Sequence, residues 1–115
     1  MKTERKKLIK ALDTEVSLFV RRRDKKCFTC SAIENLQCGH LFTRSAYSTR
    51  WNLINCNAQC NKCNLRHEYN PHIYTTAFID HFGLKAYKKL FREHAMVKKW
   101  TNGELRELLE EIKKL

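Results

Sequence analysis

The sequence predicts an α+β fold, with a small strand–strand–helix core stapled by a four-cysteine zinc and flanked by N- and C-terminal α-helices. Three observations lead there. Two C-x-x-C pairs, Cys27-Phe28-Thr29-Cys30 and Cys60-Asn61-Lys62-Cys63, bracket the middle of the chain. Thiolates at i and i+3 of a tight turn reach one tetrahedral metal, so two pairs supply the four sulfurs of a closed structural zinc. Between the pairs helical periodicity breaks down, and outside them apolar residues recur at helical spacing.

Taken in order, Leu8, Ile9, Leu12, Val16, Phe19 and Val20, with Lys6, Lys7 and Lys10 around them, make an amphipathic helix over residues 3–20. It runs into Arg21-Arg22-Arg23-Asp24-Lys25-Lys26, which reads either as a cluster lying along a phosphate backbone or as a solvated linker to the first pair. Leu36 to Phe42 and Trp51 to Cys56 are short enough to be the strands of a hairpin. The segment 60–69, free of Gly and Pro, can coil into a helix. Asn70-Pro71 offers a capping Asn with Pro at the first helical position, and Ile73, Ala77, Phe78 and Phe82 follow on one face until Gly83 closes it. Leu84, Tyr87, Leu90 and Phe91 continue the pattern. Thr101-Asn102-Gly103-Glu104 is a capping box opening a last helix striped by Leu105, Leu108, Leu109, Ile112 and Leu115. The stripes read as core or as the surface of a homodimer. The division is one domain over 1–115: a basic helix to residue 24, the zinc-organised core over 25–70 and helices over 71–115.

A chain of 115 residues, 43% hydrophobic, has room for one modest core that a metal staple would help. Lys and Arg number 23 against 12 acids, a formal charge of +11, more than solubility needs and suited to a polyanion, nucleic acid first. No apolar run approaches the ~18 residues of a membrane span, and the N-terminus is charged, so a soluble, intracellular protein without a membrane partner is expected. Six cysteines could form three disulfides in a secreted domain; without a signal peptide, a reducing cytosol favours thiolates on metal. Cys38 and Cys56 are left over, read as small buried residues, either able to swap into the zinc shell.

Hydrolysis of a phosphodiester needs a base to activate water, a cation to neutralise charge, and a scaffold for both. His40, inside the loop between the pairs, is the natural base, because a histidine with a pKa near about 6.5 is largely neutral at cellular pH. An Asn carbonyl suits Mg²⁺ or Mn²⁺, and Asn64 directly follows the last zinc cysteine. His40 can alternatively replace a cysteine on zinc, and His67 can be a helix-face residue rather than a ligand. Arg44, Arg50, Lys62 and Arg66 are the basic residues best placed to grip scissile-strand phosphates. Trp51 and Tyr47 either stack on splayed bases or pack in the core. Asn52, Asn57 and Asn61 read as turn-formers or hydrogen-bond fillers.

The run Cys-x-x-Cys, Gly-His, Asn, Cys-x-x-Cys-Asn resembles the zinc-containing branch of the HNH, or His-Me finger, endonucleases. More narrowly, KCFTC, CGHLFTRSA, RWNLINCNAQCNKCN, HFGLKAYKKLF and KKWTNGELRELLEE are together similar to the NinG (Rap) recombination-protein family of lambdoid phages, over about residues 25–112. The resemblance implies a ββα-metal core and a DNA endonuclease with a structural Zn²⁺ and a catalytic Mg²⁺ or Mn²⁺. It implies branched recombination intermediates as substrate, such as Holliday junctions or D-loops, and a phage- or prophage-encoded protein in the cytoplasm of a bacterial host. Residue by residue, it implies His40 as general base, Asn55 as the middle Asn pinning the loop that carries the base, Asn64 as ligand of the catalytic ion, and Cys27, Cys30, Cys60 and Cys63 as the structural zinc set. Many HNH enzymes carry an Asp or His ligand immediately before the base, where this chain has Gly39. The cation must then rest on Asn64, phosphate and water, with His67 or Glu68 one turn further on. The competing reading is a zinc-dependent DNA-binding module without catalysis, which has no reason to combine His40, Asn55 and Asn64 at this spacing; a protein-interaction zinc finger is disfavoured by the charge.

Overall fold

The computed structural model describes residues 2–115. A 23-residue helix α1 (Lys2–Asp24) leads to strand β1 (Leu36–His40), strand β2 (Cys56–Cys60) and a short helix α2 (Asn61–Arg66), followed by α3 (His72–Phe82), α4 (Leu84–Ala95) and α5 (Asn102–Lys113). The α+β class and the strand–strand–helix order of the core are as expected. The strands pair antiparallel, Leu36 opposite Cys60 and His40 opposite Cys56. Residues opposite one another share a face, so Leu36, Cys38 and His40 lie on one side with Cys56, Ala58 and Cys60.

Helix α1 continues past its apolar stripe at 3–20 to Asp24 because nothing breaks it before Lys25, whose φ of 62° turns the chain into the first cysteine pair. Arg21, Arg22 and Arg23 are therefore the last turn of a helix, where cations suit the C-terminal dipole, and not a linker. The second strand is displaced from Trp51–Cys56 to Cys56–Cys60. Trp51 enters the core from an irregular loop, in which Asn52 Oδ1 accepts from the amides of Ile54 (3.0 Å) and Asn55 (3.2 Å), and Cys56 enters it as the first residue of β2. Helix α3 starts at His72 with Pro71 as its cap and no side-chain cap bond, so Asn70 does not cap it; Gly83, at φ 92°, ends it as expected. The capping box of α5 forms in full, Glu104 N donating to Thr101 Oγ1 (3.1 Å) and Thr101 N to Glu104 Oε1 (2.9 Å).

Three apolar clusters surround the hairpin. Leu12, Val16 and Val20 of α1 meet Trp51, Cys56, and Leu105 and Ile112 of α5. Leu41, Tyr74, Phe78 and Leu90 form a second cluster, joined by Phe28, Phe42 and Phe82. Cys27, Cys60 and Cys63 form a third with Ala32 and Leu36. The α5 stripe thus packs on α1, and Tyr74 and Phe78 of α3 lie in the second cluster, while Ile73 and Leu115 at the ends of these stripes stay exposed. No helix among the described residues is long and apolar enough to cross a membrane.

Candidate metal centre and adjoining cleft

The two C-x-x-C pairs converge. The Sγ atoms of Cys27, Cys30, Cys60 and Cys63 all lie within 4.8 Å of one another, and Cys30 and Cys60 are 3.7 Å apart. Sulfurs at ~2.3 Å from zinc in a tetrahedron stand about 3.8 Å apart, a spacing the Cys30–Cys60 pair already has and the rest of the set reaches by small side-chain rotations. The first knuckle is folded by Ser31 N donating to Cys27 O (2.9 Å), Cys27 N donating to Ala32 O (2.7 Å), and a left-handed Ser31 at φ 66°. Phe28 N donates to Ala58 O (2.7 Å), fixing this knuckle to β2, which delivers Cys60. Burial works against the Cys27 thiolate, yet the Thr29 hydroxyl and the amides around it hold its pKa down to about 6. Burial, reinforced by the neighbouring thiols, pushes Cys63 up to about 12. A cation there would draw off the remaining protons and tie the chain on either side of the hairpin, coupling metal binding to folding.

At the other end of the sheet, a cleft of about 720 Å³ is lined by His40 and Cys38 of β1, Asn64 of α2, His67 and Glu68 beyond it, Thr43 and Arg44 of the intervening loop, and Asp13 of α1. The His40 Nε2 lies 3.0 Å from the Arg50 carbonyl, which can only accept. The proton therefore sits on Nε2, and Nδ1 carries the lone pair. Burial first, and the charges of Arg50 and Arg44 behind it, hold His40 below its ordinary pKa despite the Arg50 carbonyl and Asp13. His40 is no ligand of the four-cysteine site.

Asn55 is fully buried and grips the chain just after His40. Its Oδ1 accepts from Phe42 N (2.8 Å), its Nδ2 donates to Phe42 O and Thr49 O (3.1 Å each), and its backbone carbonyl accepts from Leu41 N (2.9 Å). Asn64 turns its Nδ2 to Gln37 Oε1 (2.9 Å), which orients its side chain at the cleft wall. His67 reaches Leu41 O through Nε2 (2.8 Å) and packs at a tilt against Tyr74, while its Nδ1 is buried without a partner. His67 thus ties down the loop after His40 while lining the same cleft as His40 and Asn64. Glu68 is exposed at the same wall and is the carboxylate in reach.

The glycine immediately before His40, Gly39, has a structural cause. A Cβ there would lie 2.1 Å from Oε1 and 2.7 Å from Cδ of Gln59, whose side chain is buried and donates to Thr29 Oγ1 (3.2 Å). Gln59 fills the space, so a side chain larger than glycine's before His40 would displace it.

The predicted phosphate-gripping residues divide. Arg44, Lys62 and Arg66 are exposed and, among the described residues, no hydrogen bond or ion pair engages their side chains. Arg50 is instead clamped bidentate by Asp13 (3.0 and 2.7 Å) and lies against Tyr47 and Trp51. Arg23 donates to Leu53 O (2.7 Å) and Cys56 O (3.0 Å) and pairs with Asp24. Both are held by the fold, because buried carbonyls and carboxylates at those positions need donors. Arg21 bonds back to Ser17 (3.2 Å), and Arg22 reaches the Leu115 carbonyl (3.5 Å). Trp51 is buried, donating Nε1 to Asp13 Oδ1 (2.9 Å), so it packs and does not stack on bases. Asp13 escaped the sequence reading: nothing local marks one acid on an amphipathic helix as the partner of a residue 37 positions on.

Cys38 and Cys56 lie apart from the four-cysteine cluster, together with His40: their Sγ atoms and an imidazole nitrogen are within 4.8 Å of one another. Cys56 Sγ also lies 3.3 Å from Arg50 O.

No curated protein and no solved structure matches the chain. The family described as Bacteriophage Lambda NinG protein matches it over residues 1–115. That match spans the chain from end to end, and the chain belongs to the NinG family.

Proposed function

We propose that this protein is a metal-dependent DNA endonuclease of the HNH type, with a structural zinc at Cys27, Cys30, Cys60 and Cys63 and with His40 as general base. The observation that carries the reading is the placement of His40: its Nε2 lies 3.0 Å from the Arg50 carbonyl, which leaves Nδ1 with the lone pair, and its imidazole lines a cleft that Asn64 also lines. A lone pair at Nδ1 can take the proton of a water aimed at phosphorus. Depression of its pKa keeps that lone pair free at cellular pH. Asn55 and His67 hold the following loop from both sides, which fixes the imidazole's direction. Asn64 and Glu68 offer the oxygens that a hard cation prefers; Mg²⁺ or Mn²⁺ bound there would neutralise charge building on the phosphate. Arg44, Lys62 and Arg66 would seat the flanking phosphates, positioning the strand without reading its bases.

Branched DNA is the proposed substrate class, since backbone contacts from a small core favour structure over sequence. The test is incubation of the zinc-loaded protein with a four-way junction, its linear arms and a matched single strand, in Mg²⁺, in Mn²⁺ and in EDTA. Cleavage of the junction above the other two, with either ion and not with EDTA, is expected. Binding without cutting under all conditions would make the protein a zinc-dependent DNA-binding module, and cutting all three substrates at equal rates would remove the preference for branches.

A further inference from the structure

The hairpin holds a second constellation of soft ligands. Cys38 and His40 alternate along β1, Cys56 stands opposite His40 on β2, and register puts all three side chains on the face turned to α1. Their ligand atoms lie within 4.8 Å of one another. This group is separate from the structural set: Cys56 and Cys60 are four residues apart on one strand, roughly 13 Å at ~3.3 Å per residue. Cys56 is fully buried, but Cys38 and His40 both line the cleft, so an ion has a route in and a water can complete its shell.

We propose that Cys38, Cys56 and His40 form a second transition-metal site, taking Zn²⁺ with a water from the cleft as fourth ligand. Two thiolates and an imidazole are the donors this ion prefers, and three protein ligands with one open position is a familiar coordination for it. Adjacent strand positions place the donors on rigid backbone, and closing by about 1 Å through side-chain rotation brings them to the ~3.3–3.8 Å separations of a tetrahedral shell. Binding releases the thiol protons.

The consequence rests on the role proposed for His40. A neutral imidazole has one lone pair, and whichever nitrogen ligates zinc, that pair is no longer free to accept a proton from water. Zinc in this site and catalysis by His40 exclude one another. Excess zinc would then act as an inhibitor that leaves the structural ion untouched.

The experiment is equilibrium dialysis of the reduced full-length protein against rising Zn²⁺, with metal content measured for wild type, Cys38→Ser and Cys56→Ser, beside Mg²⁺-dependent junction cleavage on the same samples. Expected are two zinc equivalents in wild type and one in each variant, the retained equivalent reporting that the variant is folded. Cleavage by wild type should fall at least tenfold as the second equivalent loads, and cleavage by Cys38→Ser should not. A single equivalent in wild type at all concentrations overturns the proposal without reference to any variant. Two equivalents in both variants also overturn it, because the second ion then lies elsewhere. If no substrate is ever cut, the nuclease reading fails, while the zinc count still decides the site.

Discussion

Replacing Asn55 by Ala removes a side chain that does three things at once. Its Oδ1 accepts from Phe42 N, and its Nδ2 donates to the carbonyls of Phe42 and Thr49, all at 2.8–3.1 Å and with the residue fully buried. Each net hydrogen bond contributes about 1 kcal/mol, and leaving one buried partner unsatisfied adds roughly 1–2, so the loss should be about 4–5 kcal/mol. For a domain of this size, roughly 4 °C per kcal/mol translates this into a melting point lower by about 16–20 °C. Cleavage should drop further than stability alone explains, because the loop carrying Leu41 and Phe42 would no longer hold His40 in line. Urea unfolding of the zinc-loaded protein measures the first effect, and junction cleavage well below the melting point the second. A loss below about 1 kcal/mol, with cleavage unchanged, would refute the view that Asn55 organises this loop.

Four further outcomes are expected. Gly39→Ala drives a methyl into Gln59, with Cγ, Cδ and Oε1 all closer than 3 Å, and should destabilise by about 1–3 kcal/mol in thermal or urea unfolding without altering zinc content. Arg44→Ala, Lys62→Ala and Arg66→Ala should each weaken DNA binding evenly across sequences and reduce the log–log salt slope by about 1, whereas Arg23→Ala should mainly lower stability. Cleavage should persist to more acidic pH than an ordinary histidine allows and fall only as pH drops through the depressed pKa of His40, because the base works unprotonated; a pH–rate profile checks this. Serine at Cys27, Cys30, Cys60 or Cys63 should lower bound zinc and cost several kcal/mol of stability, seen by metal analysis and melting.

What could be read from sequence was what local chemistry encodes. The cysteine pairs declared themselves by spacing, the α5 start by its Thr101–Glu104 box, and the end of α3 by Gly83. The second strand could not be read, because Cys-Asn-Ala-Gln-Cys is stable as a fully buried strand only through distant partners: Asn57 donates to Tyr74 Oη (3.0 Å) and Gln59 to Thr29. Trp51 to Cys56 looked like a strand because its apolar residues are wanted by the core, and an Asn52 turn, not a ladder, delivers them. Arg50 looked available for phosphate because its partner, Asp13, sits in another element. Pairings of this kind are set by tertiary structure and leave no local signature.

The central claim is that His40 does chemistry and holds no structural metal. It is tested most directly by His40→Ala, assayed for Mg²⁺-dependent junction cleavage and for zinc content on one preparation with one equivalent of zinc bound. Cleavage reduced by about 10²- to 10⁴-fold, with that equivalent and DNA affinity retained, is the result expected for a lost general base. Cleavage at the wild-type rate, or loss of the structural zinc, would contradict it.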